Sequence, residues 1–452
     1  MKNITDLTFA DRDEFERKPI AQKLINLLIS DIDISPLVID GQWGTGKTEF
    51  CQKTKNLIKE NYKGKLDCAY IDAFQDDHTN DPLIPLVAAI YELIDDESKK
   101  IFFLNKAKAI LRYGVKASVK AGFAWVLRAE ANTLEQNYQE ELEKVVDDGS
   151  NAVIEGLIKD HQEAKKDIDG LKNILQEITK DKKLIIFIDE LDRCKPSFAI
   201  AILETIKHIF DVENVKFILV TNYQQMKASV RHCYGAAIDA HRYLDKFIKF
   251  KFYLPVEKLF NAKKKHVSFH YAEQLINASP VLKQRGIFAD YGFKLLENLI
   301  TCNQVSLREV SKIVLYLEIF HTLREKQYDQ VWYAVSIFVV FLVYSNPELC
   351  EKIRKKEAKA IEICEYLGIT THVKVKVKET ERRYWSISRD LASLFIITMN
   401  DQSVPGYQGD EDDYKEWLEK LNLSIDVERS ELKNHIDDLI IGILDEFQFV
   451  KK

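Results

Sequence analysis

The sequence predicts an α/β fold on a largely parallel sheet, with a helical insertion and a mostly helical C-terminal part. Three observations point there. In the N-terminal half, short β-branched runs alternate with stretches of helical period, the pattern of a parallel sheet. Two of those runs break abruptly, one into glycine and one into paired acids. From about Phe260 the strand signals mostly vanish and helical spacing takes over.

The elements follow in order. "AQKLINLLIS" (Ala21–Ser30) reads as an amphipathic helix and Pro36 to Asp40 as a short buried strand. A helix runs from Gly46 to about Tyr62, a strand over "LDCAYIDAF", and a helix over "DPLIPLVAAIYELI". The alternation resumes with the helix "GLKNILQEITK", the strand "KLIIFIDE", the helix "SFAIAILETIKHIF" and the strand "VKFILVTN". One more strand, "FIKFKFYLP", follows Arg242. The apolar run "VWYAVSIFVVFLVY" falls short of the ~18 residues a membrane span needs, so it reads as a helix buried on all sides.

At 452 residues the chain exceeds the size of one ordinary core. The division expected is a core over 1–98 and 171–256, a helical insertion over 99–170, and a helical lid and C-terminal domain over 257–452. A net charge of −6 advertises neither nucleic acid nor an anionic membrane. The seven cysteines are scattered without a CxxC pair, which argues against disulfide or metal frameworks and suits a reducing compartment. The N-terminus has no apolar core for a signal peptide. A cytoplasmic protein is expected, any membrane contact being peripheral, at the inner membrane face.

The stretch "GQWGTGKTEF" carries the first chemical signal. Gly41, Gly46, Lys47 and Thr48 satisfy G-x-x-x-x-G-K-[ST], placed after a buried strand and opening a helix. Glycines there let amides turn inward around phosphate oxygens, and the helix N-terminus adds its positive end. The expected nucleotide cradle is Gly41, Gln42, Trp43, Gly44, Thr45, Gly46, Lys47, Thr48 and Glu49, with Lys47 on the β- and γ-phosphates and Thr48 on Mg²⁺. Glycines also mark ordinary turns, but a second motif agrees.

That motif is "KLIIFIDELDR". A strand buried on both faces ends in Asp189 and Glu190. Asp189 is the expected Mg²⁺-holding acid and Glu190 the expected general base for an attacking water. Together they imply a nucleoside triphosphatase using ATP and Mg²⁺. For Asp192 and Arg193, simple capping of the next helix is an equal alternative. Asn222, ending "VKFILVTN", is a candidate polar sensor if that strand lies between the two motif strands; a helix cap is the plainer reading.

The chain resembles the KAP P-loop NTPases over about Asp11 to Tyr316. The resemblance rests on "GQWGTGKTEF", "AYIDAFQDDHTNDPLIPLVAAI", "LIIFIDELDRCKP", "HRYLDKFIKFKFYLP" and "NQVSLREVSKIVLYL". It implies an additional-strand ATPase core and an ATP-dependent switch or assembly NTPase. Bacterial members are associated with phage exclusion or defence. Arg308 in "SLREV" is then the candidate sensor in cis, and Arg242 and Lys246 the candidates for reaching a partner subunit's phosphates in a homo-oligomer. Phe15 and Arg17, in a lead-in similar to the family's base-binding one, are candidates for packing on adenine, though a plain helix entry accounts for them nearly as well.

Many family members carry membrane-spanning helices where this chain has its insertion. Here Lys106, Lys108, Arg112, Lys116, Lys120 and Arg128 occupy that segment, and each cation would cost roughly 2.5–3.5 kcal/mol at mid-bilayer. A span is therefore rejected. The acidic run Glu130 to Asp148 follows, so a self-complementary helical hairpin is the leading reading and a basic surface for lipid or nucleic acid the second. Farther on, "HVKVKVKETERRYW" reads as an edge strand with a Lys face, or more weakly as a nucleic-acid strip. Two functions of different kind remain: an oligomeric ATPase switch controlling an effector encoded nearby, or a nucleic-acid-acting motor or loader.

Overall fold

The computed structural model describes residues 3–79, 81–119, 151–260, 263–283, 290–323, 330–369, 391, 438 and 440–443. The chain divides into two compact units, Met1–Leu254 and Pro255–Lys452.

Five strands make the sheet of the first unit: β1 (Leu37–Asp40), β2 (Leu66–Asp72), β3 (Lys183–Asp189), β4 (Val215–Thr221) and β5 (Phe250–Tyr253). Their order is β2-β3-β4-β1-β5 and every pairing is parallel. β4 thus lies between the strands of the two motifs, the additional-strand arrangement expected. The register brings Asp40 beside Thr221, Val220 beside Asp189, and Asp189 beside Asp72. The carboxyl edge of the sheet therefore gathers three acids and a threonine, where open α/β sheets bind ligands.

Alternation along β3 explains its burial. Ile185 and Phe187 pack on one face with the helices Lys18–Ile29 and Lys47–Asn61. Leu184, Ile186 and Ile188 pack on the other with the helices Leu83–Glu92, Pro196–Ile209 and Tyr223–Tyr234. Both faces are covered, so this central strand reads as an unbroken apolar run. Truncating the fully buried Phe187 to Ala would cost about 3–5 kcal/mol.

Several boundaries differ from expectation for local reasons. β2 stops at Asp72 because that side chain accepts a hydrogen bond from Gln75 N (3.1 Å) and caps a short helix over Ala73–Asp76. β5 starts only at Phe250, since the amides of Phe247 and Ile248 return to Leu244 O (2.9 and 3.0 Å). The helix Asn151–Ile178 continues through Gly170 without a break.

That helix packs against the helix Glu97–Val119, joined by Lys106–Asp167 (2.8 Å) and Lys99–Glu177 (3.1 Å). Of the basic arm, Lys106 thus meets an acid of the second long helix, beyond the acidic run that was expected to face it. The run Glu130 to Asp148, with Lys120 and Arg128, lies outside the described residues.

The second unit opens with an antiparallel hairpin, β6 (Glu257–Phe260) and β7 (Lys263–His266), where few strands were expected. The helix Gln330–Ser345 forms its centre, with Val335, Phe338, Val340 and Phe341 fully buried among the helices Val267–Ala278, Asp290–Cys302 and Leu307–Leu323. Among the described residues no helix is long and apolar enough to cross a membrane. The Val/Lys stretch at 372–385 lies outside the described residues.

Candidate nucleotide site

The glycine loop between β1 and the helix Lys47–Asn61 has the backbone its composition demands. Gly44 (φ 76°) and Gly46 (φ 79°) are left-handed, a region that costs a side chain energy. At Gly41 a Cβ would stand 2.9 Å from Thr45 Oγ1. No side chain caps the helix that follows, so its first amides and positive end face the loop.

Lys47 is buried and donates through Nζ to Gly41 O and to Gln42 O (3.0 Å). Burial lowers the pKa of its ammonium; the charge of Asp192 opposes this most, followed by Asp189 and Asp40. The lysine is thus held in the loop by exchangeable carbonyl contacts.

Asp189, at the end of β3, is 2% exposed. Burial pushes its carboxyl above the usual range. The nearby Thr48 side chain, hydrogen bonds from Tyr70 and from the Glu190 amide (2.7 Å), and the charge of Lys47 work the other way. Thr48 thus lies near Asp189, which brings the two motifs together. Glu190 itself adopts a left-handed backbone (φ 59°), a conformation costing a non-glycine residue of order 1–3 kcal/mol. It turns the chain into the tight Leu191–Arg193 turn, and its carboxylate pairs with Arg193 (2.8 Å).

The residues present fit a magnesium nucleotide: left-handed glycines, an uncapped helix start, a buried lysine, and hard oxygen donors on Thr48 and Asp189. Among the described residues no group of three or more His, Cys, Asp and Glu side chains is placed to hold a metal.

The model of the KAP family P-loop domain matches residues 17–324. This chain belongs to the KAP family of P-loop proteins. Over 260 residues it is 25% identical to the phage T7 exclusion protein of Escherichia coli (strain K12), covering 53% of this chain and 32% of that protein. It thus spans about a third of that relative's length. The Aeropyrum pernix ORC2 protein, solved in ADPNP–ADP complexes, aligns over 95% of this chain and 94% of its own at 14% identity. Its TM-score of 0.32 carries no argument.

The other candidates of this KAP-family chain are placed as follows. Asn222 caps the helix Tyr223–Tyr234, accepting from Gln224 N (3.0 Å), while Thr221 donates to Asp192 Oδ1 (3.2 Å). Arg17 is buried and donates to Thr45 O (3.0 Å) and Gly46 O (3.3 Å), with its guanidinium 4.9 Å from the Phe15 ring centre. It braces the loop through its backbone, which gives Arg17 and Phe15 partners other than a base. Glu49 pairs with Arg12 (2.5 Å) and Lys53 (2.7 Å). Arg242 is exposed and paired with Asp239 (3.3 Å); Lys246 is exposed, with its ammonium 5.3 Å from the Tyr243 ring centre. Arg308 is exposed near the start of the helix Leu307–Leu323 in the second unit.

Two residues escaped sequence reasoning. Tyr70 reaches Asp189 from the neighbouring strand, and its strand gave no polar signal beyond alternation. Asp192 accepts from Trp43 Nε1 as well as from Thr221. Its adjacency to the acid pair left a role at the site and simple helix capping as equal alternatives, with neither partner foreseen.

Proposed function

We propose that this protein is a magnesium-dependent ATPase that works as an oligomeric switch or sensor controlling a separate effector. The closeness of the glycine loop to Asp189, where the charges of Lys47 and Asp189 act on each other, carries the reading, because the phosphate loop and the acid that would hold the metal stand at one point. Thr48 and Asp189 would hold the ion, whose charge would offset that of the β- and γ-phosphates. Lys47 would exchange its carbonyl partners for phosphate oxygens, and the loop amides would hold the triphosphate in place. Glu190, beside the metal site, would orient and deprotonate the attacking water.

Exposure of Arg242 and Lys246 supports a role at a subunit boundary, where cations can act on a neighbour's phosphates. Arg308 would report nucleotide state to the helical second unit. A relative named for phage T7 exclusion supports a defence setting.

The test is ATP turnover by Glu190→Gln. Turnover should fall by about 10²-fold or more while nucleotide binding persists. Unchanged turnover would remove Glu190 as the base.

A further inference from the structure

Asp192 has no part in the magnesium and base assignments, yet it meets three elements of the site. Its two oxygens are divided between donors far apart in sequence. Oδ2 accepts from the indole of Trp43, within the glycine loop, and Oδ1 from the Thr221 hydroxyl at the end of β4 (3.2 Å). Glu190's left-handed backbone and the tight turn after it place the carboxylate there. Trp43 is 49% exposed and belongs to neither hydrophobic cluster of its unit. Packing therefore does little to fix the indole, and the hydrogen bond sets its position. Asp192 also gives the leading electrostatic support to the charge of Lys47.

We propose that Asp192 is a positioning residue that ties the phosphate loop to the end of β4, so that the two shift together when a triphosphate binds. The inference rests on the nucleotide-binding reading above. One carboxylate accepting two hydrogen bonds is a rigid joint, because moving either donor alone lengthens the other bond. A triphosphate drawn to Lys47 brings like charge towards Asp192, which gives the joint a reason to respond to the ligand. The polar end of β4 would then follow the loop through Thr221, leaving Asn222 free to serve as the cap it is.

The test uses the indole N–H resonances of the full chain, whose five tryptophans give few signals, with Trp43 assigned by Trp43→Phe. Thr221→Val removes a hydroxyl without touching Trp43. The joint predicts that Thr221→Val shifts the Trp43 resonance in the nucleotide-free protein and that Asp192→Asn shifts it further. An unchanged far-ultraviolet circular dichroism spectrum and thermal transition report that each variant is folded. An unmoved Trp43 signal in both variants overturns the proposal, whatever the protein binds. A second arm measures affinity for a non-hydrolysable ATP analogue in Trp43→Phe, Thr221→Val and the double variant. Coupling through one carboxylate predicts non-additivity of about 5-fold; strict additivity counts against it. If the wild type fails to bind the analogue while the resonance shifts occur, the joint stands and the nucleotide reading falls.

Discussion

Tyr70 on β2 donates its hydroxyl proton to Oδ2 of Asp189 on β3. Tyr70 is paired in register with Phe187, two residues before Asp189, so both side chains leave the same face of the sheet. The tyrosine orients the acid from the side opposite the phosphate loop. Burial and the neighbouring carboxylate push the phenol far above its usual pKa, so it stays a donor across the accessible pH range.

Tyr70→Phe should therefore weaken the site. The buried Asp189 carboxyl loses the hydrogen bond that Tyr70 donates to it. A destabilisation of about 1–3 kcal/mol is expected by urea unfolding, with reduced ATP turnover.

Arg17 braces the loop through the carbonyls of Thr45 and Gly46. Burial lowers its pKa to about 10, with the charges of Glu49, Glu14 and Asp13 opposing the shift. Arg17→Ala leaves those carbonyls and acids without their cation and should cost about 2–4 kcal/mol, with weaker nucleotide binding. Arg17→Lys keeps the charge but not the fork that spans two carbonyls, so calorimetric melting should show only partial recovery.

A pH dependence follows from His266. Its ring accepts from Ser268 N (3.3 Å) at the start of the helix Val267–Ala278. Burial lowers its pKa from 6.5, against the opposing charge of Glu257. Above 6.5 the ring is neutral folded or unfolded. As pH falls below 6.5 the unfolded chain takes up the proton first, so stability declines until the folded ring also titrates. The ring should titrate by NMR below 6.5, and His266→Asn, which keeps an acceptor, should flatten that part of the stability profile.

The strands and the two motif ends were legible because both rest on local signals, apolar runs and a polar break. Strand order is a long-range pairing that periodicity does not encode; the polar end of β4 and the family resemblance hinted at it. The hairpin β6–β7 went unseen because Lys263, Lys264 and Lys265 erase the alternation a strand normally shows. Asp192 was readable as polar but not as a joint, since Trp43 lies 149 residues away in sequence. Arg17 was read as a candidate for packing on adenine because no sequence pattern marks a guanidinium turned onto loop carbonyls.

The most direct test of the whole account is equilibrium binding of ATP in Mg²⁺ and in EDTA, compared across wild type, Lys47→Ala and Asp189→Asn. The account predicts tight binding by wild type that weakens on chelation, loss of affinity in Lys47→Ala, and little response to Mg²⁺ in Asp189→Asn. ATP affinity identical in all three proteins, or absent from the wild type, would contradict it.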